Sequence, residues 1–489
     1  MRQLLSSLCL LSCLFEQAAR GQQRTPLRGP TVRAARSERF VLPPGAEPIT
    51  ARAALPRPRR LALADLEAWA LGNNPTIAAA EALVRQQQGM WRQAGLYPNP
   101  TAGYLRTDPN QPRQSETQGL FLSQEFVTAK KLRLAQAAER QDIEWRRWQL
   151  AAQRRRVVND VRIRFHEVLG AQRAIREAAA MERLAADGVR AVREMVEVKQ
   201  ASRPELLQAE MQLHAFRIAL ADAQYRHLTA WRQLANVAGV PRLPPTELIG
   251  DLERIPRLEW EASLRRLLAE NPVLRSQRNF IQAARIDVRL ARAQAVPNLN
   301  VQMVVQHDQV MKYNSVSTLA ALPLPIFNRN QGNIQLAQAE VQQQQQEYQR
   351  IELALQDQLA GTFNQYLSAK NQAEQLRQEI LPRAKENLDL TVEGQKLGEF
   401  DLASVLGARQ KFFDVALAYV DALTAVHKVA IEIDGLQFTG GLNPTEIGTA
   451  LQHQGAIGGG TRSVLLQQLQ QQGLQGSQLL PGSIQGTAR

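Results

Sequence analysis

The chain repeats itself. Asn74-Pro75 returns as Asn271-Pro272, Pro98-Asn99 as Pro297-Asn298, Leu134-Ala135-Gln136-Ala137 as Leu336-Ala337-Gln338-Ala339, and Leu207 with Ala209 as Leu406 with Ala408, at offsets of 197, 199, 202 and 199. Four matches in one order at near-constant spacing define a duplicated unit, about residues 61–238 and again 259–436. Any fold must therefore be built from two copies of one plan. Residues 239–258 between them, with Gly239-Val240-Pro241, Pro244-Pro245 and Pro256, break helix repeatedly and read as a linker.

Each copy reads in the same order. Residues 62–96 form helix, interrupted or restarted at Asn74-Pro75, and Pro98-Asn99-Pro100 stops it. Two β-compatible stretches, 101–107 and 117–126, flank Asp108-Pro109-Asn110 and predict a hairpin at about 99–126. The second copy predicts strands at 299–306 and 315–322, within a hairpin at about 298–325. Val301, Met303 and Val305 alternate there with Gln302, Val304 and Gln306. Very long helices follow, at about 129–199 and 333–397. At 1.5 Å per residue, ~70 residues reach ~105 Å. In the first, Leu150, Val157, Val161, Phe165 and Val168 form an apolar stripe suited to side-by-side helix packing. Short breaks at Ser202-Arg203-Pro204 and Gly398 to Asp401 return the chain through shorter helices, with Ser202 and Asp401 as caps and Pro204 in a first turn.

The prediction is a mainly α protein with a small β part. Aromatics at 5% and abundant Ala, Gln, Leu, Arg and Glu agree with long helices. No apolar run after residue 15 is long enough for a transmembrane helix, whereas a β-barrel, whose strands alternate, stays open.

The ends read differently from the body. Met1-Arg2 and the apolar run from Leu4 to Phe15 have secretory proportions, and Ala19-Arg20-Gly21 offers a cleavage site, giving a signal peptide at 1–21. Cys9 and Cys13 leave with it; the alternative is lipidation at Cys13. Of the net charge of +13, +7 lies in a Pro-rich leader at 22–60, so the body is only mildly basic and does not signal nucleic-acid binding. Leader and Gln/Gly-rich tail, 437–489, are both expected to be disordered, with nothing to bury.

No Walker loop, dinucleotide fingerprint, zinc-protease motif or nucleophile elbow is present, so neither enzyme chemistry nor a cofactor is expected. The six histidines lack metal-ligand spacing; His307-Asp308 near Met311 reads either as a metal contact at an outer mouth or as a solvated loop. Trp145 and Trp148 read as packing residues.

The plan resembles the TolC family of outer-membrane efflux ducts. The residues that carry the resemblance are Asn74-Pro75, the Ala94-Gly95-Leu96-Tyr97-Pro98-Asn99-Pro100 entry to the first hairpin, and the run from Leu322 to Gly332, which leaves the second through Pro323, Pro325, Phe327 and Asn328. That run is similar to the version in the cobalt-zinc-cadmium resistance type. The resemblance implies a homotrimer with four strands per protomer in a shared transmembrane β-barrel, and a long-helix α-barrel spanning into the periplasm. It also implies a periplasmic adaptor and an inner-membrane RND-type pump as partners, outer-membrane lipid around the barrel, and passive export of heavy-metal cations. Drug or other small-molecule efflux, a type I secretion duct and a periplasmic coiled-coil adaptor are the alternatives.

By the same resemblance the two reversals are periplasmic tips that contact the adaptor, through Gly398, Asp401 and Leu406 in the second copy and Ser202, Arg203, Pro204 and Leu207 in the first. Lys199 stands in the first copy where the second has Gly398. Pro98, Asn99, Pro297, Asn298, Pro325 and Phe327 mark the hairpin entries and exits.

Overall fold

The computed structural model describes residues 60–107 and 116–443. The expected signal peptide with both cysteines, the leader to residue 59, the segment Asp108-Pro109-Asn110 where a turn is expected, and the tail beyond Asn443 lie outside them.

The first copy runs β1 (Arg60–Ala62), α1 (Leu63–Asn73), α2 (Pro75–Ala94), β2 (Thr101–Thr107), β3 (Thr117–Phe126), α3 (Lys131–Glu197) and α4 (Arg203–Val237). After β4 (Glu247–Ile249), the second runs α5 (Trp260–Glu270), α6 (Pro272–Gln294), β5 (Leu299–Asp308), β6 (Asn314–Ala321), α7 (Gln331–Gln375), a π-turn (Leu376–Ile380), α8 (Leu381–Leu397) and α9 (Leu402–Asp434). Asn74 and Asn271 each cap the helix after the break, accepting from Thr76 N at 3.0 Å and Val273 N at 2.8 Å, with proline in the first turn. Proline has no amide hydrogen to leave unpaired there, so Asn-Pro restarts a helix at little cost.

The predicted stripe of α3 is the core of the first copy. Val157, Val161, Phe165 and Val168 are buried against Leu66 and Ala70 of α1 and Trp231 and Leu234 of α4. A second cluster joins Leu359 and Tyr366 of α7 to Tyr419, Leu423 and Val426 of α9. Trp145 packs edge-on against Phe280 of α6 at 4.6 Å between ring centroids, and Arg275 lies over Trp148 at 5.0 Å.

Four expectations change. The second long helix is not one α-helix: Pro382 cannot donate to the carbonyl four residues back, and the π-turn just before it absorbs the missing bond. The leader ends one residue early, because Arg60 begins β1 and pairs with Glu247 at 3.0 Å. The linker is not featureless, since its β4 pairs in parallel with β1. Nor does the described structure stop at 437, the expected start of the Gln/Gly-rich tail. Leu436 and Phe438 are buried, and the backbone of Gly440 and Gly441 donates to the Asp160 carboxylate at 3.0 and 2.6 Å. Asn159 donates to the carbonyls of Gly435 and Phe438, so a strap of residues 435–443 is tied across α3. Phe438 supplies the apolar surface, a lone aromatic among Gly, Thr and Gln.

Sheet and helices share one order. The large sheet runs β2-β3-β5-β6, all antiparallel, and the helices beneath it pack as α2-α3-α6-α7. Each strand is thus continuous with a helix in the same place in the next layer.

Candidate functional site

The four strands, of which β5 runs two residues beyond the expected 306 and β6 spans Asn314–Ala321 rather than 315–322, are the first part of the site. Tyr104, Leu120, Val305 and Val316 lie side by side across the sheet; so do Ala102, Leu122, Met303 and Thr318, followed by Gln124, Val301 and Ala320. Side chains alternate along a strand, so the rows between face the other way. These are Leu105-Gly119-Gln306-Ser315, Gly103-Phe121-Val304-Ser317, Thr101-Ser123-Gln302-Leu319 and Glu125-Asn300-Ala321. The first face is mostly apolar and strongly exposed, Leu120 and Val316 at 66%, and ends toward the hairpin turns in one polar row, Arg106-Gln118-His307-Asn314. The other carries most of the polar groups. Within the chain β2 and β6 each have a single neighbour, leaving an edge of unpaired backbone groups on both sides of the sheet.

Below the sheet, Asn298 ties the hairpins together. Its Oδ1 accepts from Lys131 Nζ at 2.5 Å and from the Thr128 amide at 3.3 Å, while its Nδ2 donates to Glu125 at 2.7 Å. Thr128 donates to the carbonyl of Pro297 at 2.6 Å, and Lys131 to that of Val296 at 2.5 Å. Pro98 receives Gln124 at its carbonyl, whereas Asn99 is exposed. Pro325 and Phe327 lie on the exposed exit segment, Phe327 at 90%. Lys131 was not anticipated. A lysine in the first turn opposes the helix dipole, and that was the signal that its charge is held elsewhere.

At the other end, Gly398 is left-handed (φ +78°) and closes α8 with two bonds, Gly398 N to Gln395 O and Glu399 N to Gly394 O. Ser202 and Glu205 form a reciprocal capping box at the start of α4, and Asp401 accepts from the amide of Ser404 at the start of α9. These hydrogen bonds hold both carboxyls, Glu205 and Asp401, below their ordinary pKa. Arg203, Pro204 and Leu207 are exposed, whereas Leu406 is half-buried beside Leu402 and Phe413. Val405, next to it, is fully buried and supports the turn from within. Gln212 donates to the carbonyl of Leu406 at 2.6 Å, joining the first copy's tip to the second's.

Two histidines far apart in sequence meet between the copies. His166 and His427 stack at 4.4 Å, and each ring donates to a backbone carbonyl, His166 Nδ1 to Arg162 and His427 Nε2 to Leu252. Burial pushes both pKa values down, that of His166 to about 4. At the hairpin turn, Asp308 spends its carboxylate on the amides of Val310 and Met311, and His307 bonds Asn314. No group of three or more potential metal ligands occurs among the described residues, and no described helix is long and apolar enough to cross a membrane.

Known proteins share this arrangement. The chain is 26% identical to the cobalt-zinc-cadmium resistance protein CzcC of Cupriavidus metallidurans over 365 residues, covering 75% of this chain and 87% of that protein. Its fold is similar to CusC, described in a study of folding and transmembrane channel formation, with TM-score 0.66, 18% identity and coverage of 80% and 96% of the two chains. The open-state MtrE outer membrane channel of Neisseria gonorrhoeae superposes with TM-score 0.62 and 18% identity, over 77% and 89%. Residues 68–240 and 263–436, the two copies of the internal repeat, each match the outer membrane efflux protein family, and the chain belongs to that family.

Proposed function

We propose that this efflux protein works as a homotrimer in which three four-stranded sheets close into a twelve-stranded barrel through the outer membrane. The observation that carries this is the sheet open at both edges, with one face mostly apolar apart from the row nearest the turns and the other carrying most of the polar groups. Unpaired backbone groups in hydrocarbon cost several kcal/mol each, so a sheet with one apolar face is tolerated there only when closed. Strands β3 and β5, ten residues each, suit a tilted crossing. The helix layer repeats the strand order and continues each wall into the periplasm as an α-barrel of about 100 Å. Its tips, around Lys199 to Leu207 and Gly398 to Leu406, meet a periplasmic adaptor fed by an inner-membrane RND-type pump.

The cargo we assign is heavy-metal cations, on the similarity to CzcC. The duct needs no resident metal site for this, because energy and selection lie with the pump. Deleting the gene should sensitise cells to cobalt, zinc or cadmium, with resistance restored by the intact protein in the outer-membrane fraction. Sensitivity unchanged for all three cations, but raised for organic toxicants, would move the cargo assignment to small molecules.

A further inference from the structure

The helix layer carries a concentration of positive charge that neither packing nor the passage of cations explains. Between Lys131 and Leu150 of α3, the most exposed positions are Arg133, Arg140 and Arg147; on α6 they are Arg278, Gln282, Arg285, Arg289 and Arg292. Arg147 pairs with Glu144, and Arg278 bonds the hydroxyl of Tyr348. The other five arginines present their side chains to the outside of the layer as exposed residues.

These five lie together. Trp145 against Phe280 fixes the level of the antiparallel pair. Seven residues are two helical turns, about 10 Å, so Arg140 stands level with Arg285, and Arg133 with Arg292. On α3, Glu139 reaches Gln87 of α2 and Trp145 reaches α6, and the arginines turn away from both. On α6, Gln277 reaches Gln344 of α7 and Phe280 reaches α3, again leaving the arginines on the remaining side. Following the helical rotation along two antiparallel neighbours places both stripes on the same, convex face of the layer. That face is away from α2 and α7, the outer helices at which protomers would meet.

Packing does not require the charge at three of the five positions, whereas Arg289 has Arg92 as its equivalent. The repeat equivalents of Arg133 and Arg140 on α7 are Gln335 and Gln342, and that of Arg285 on α2 is Gln88. Position supplies the partner. Arg133 is two residues from Lys131, which touches the backbone at the foot of β5. The patch therefore starts where the sheet ends and extends about 10 Å below it, close to the depth of a headgroup layer, roughly 5–8 Å on each side of the hydrocarbon. Guanidinium pairs well with phosphate because its donors match two oxygens at once.

Resting on the trimeric barrel proposed above, we infer that Arg133, Arg140, Arg285, Arg289 and Arg292 form a binding surface for the phosphate headgroups of anionic phospholipids in the inner leaflet of the outer membrane.

Native mass spectrometry of the trimer, delipidated in neutral detergent and exposed to phosphatidylglycerol or phosphatidylcholine, tests it. The wild type should retain phosphatidylglycerol preferentially. The triple variant R133Q/R140Q/R285Q, which places at each site the residue its repeat equivalent already carries, should lose that preference by roughly fivefold per arginine while remaining trimeric. Arg190→Gln with Arg383→Gln, surface arginines far from the sheet, should retain it. Equal lipid retention by wild type and triple variant would overturn the inference. So would binding of soluble peptidoglycan fragments without lipid preference, or displacement of the lipid by an equal concentration of inorganic phosphate. A wild type that never trimerises would instead refute the barrel beneath it.

Discussion

Lys199 and Gly398, 199 residues apart, end repeat-equivalent helices in the same left-handed conformation, at φ +60° and +78°. Each closes its helix with the same two bonds: Lys199 N to Val196 O and Gln200 N to Met195 O in one copy, Gly398 N to Gln395 O and Glu399 N to Gly394 O in the other. Three residues later Ser202 and Asp401 cap the returning helices. The reversal geometry is thus held by the paired closure and caps. Glycine makes it cheap in one copy, and in the other a lysine is held in it against its own preference.

The two positions should therefore respond in opposite directions to related changes. Lys199→Gly is expected to stabilise its turn by up to about 1 kcal/mol, whereas Gly398→Val should cost its turn about 1–2 kcal/mol. Nothing lies within 4 Å of a Cβ placed on Gly398, so this cost is backbone strain and the proposed trimer should persist. Hydrogen exchange at the Gln200 and Glu399 amides reads both effects. Slower exchange at Glu399 in Gly398→Val would refute the assignment.

The strap makes a second prediction. A Cβ on Gly441 would lie 2.8 Å from the Cα of Val157, within backbone that cannot move aside. Gly441→Ala should therefore lift the strap and release Phe438, at a cost on the order of 2–4 kcal/mol, comparable to emptying a core site. Truncation after Asn443 should leave the thermal midpoint unchanged, and truncation after Gln437 should lower it. Equal midpoints for the two truncations would show that the strap contributes nothing.

Acid should weaken the contact between the copies. His166 has a folded pKa of about 4 against an ordinary 6.5, so the unfolded chain binds the proton first as pH falls. Stability is intact above about pH 6.5 and declines progressively toward pH 4. Burial and the nearby charges of Arg162 and the second ring oppose protonation, while the carbonyl of Arg162 favours it. His166→Gln should lessen the fall of the thermal midpoint between pH 6.5 and 4, leaving the part that His427 supplies; an unchanged slope would place the acid sensitivity elsewhere.

What was legible in the sequence was local. The strands announced themselves by alternation and flanking Pro-Asn, the caps by Ser202 and Asp401, and the core of α3 by the spacing of Val157 to Val168. The features that escaped join residues distant along the chain: Lys131 with Asn298, His166 with His427, and Asp160 with Gly440 and Gly441. None changes the local pattern on either side of the contact, so periodicity carries no trace of it. Lys199 escaped for a related reason, since a left-handed lysine is imposed by the closure around it. Pro382 was visible, but that a π-turn rather than a stop would accommodate it depends on the packing of α7 and α8 against α9.

The central claim is that β2 of one protomer pairs with β6 of the next until three sheets close. The chain has no cysteine after Cys13, so Ala102→Cys on β2 and Ala320→Cys on β6, on the same face at opposite edges, introduce the only thiols beyond that point. Treating the double variant with a flexible bismaleimide in the membrane should give covalent dimers and trimers and nothing larger, with each single variant remaining uncoupled. Uncoupled chains in the double variant, or a ladder extending beyond three, would contradict closure as a trimer.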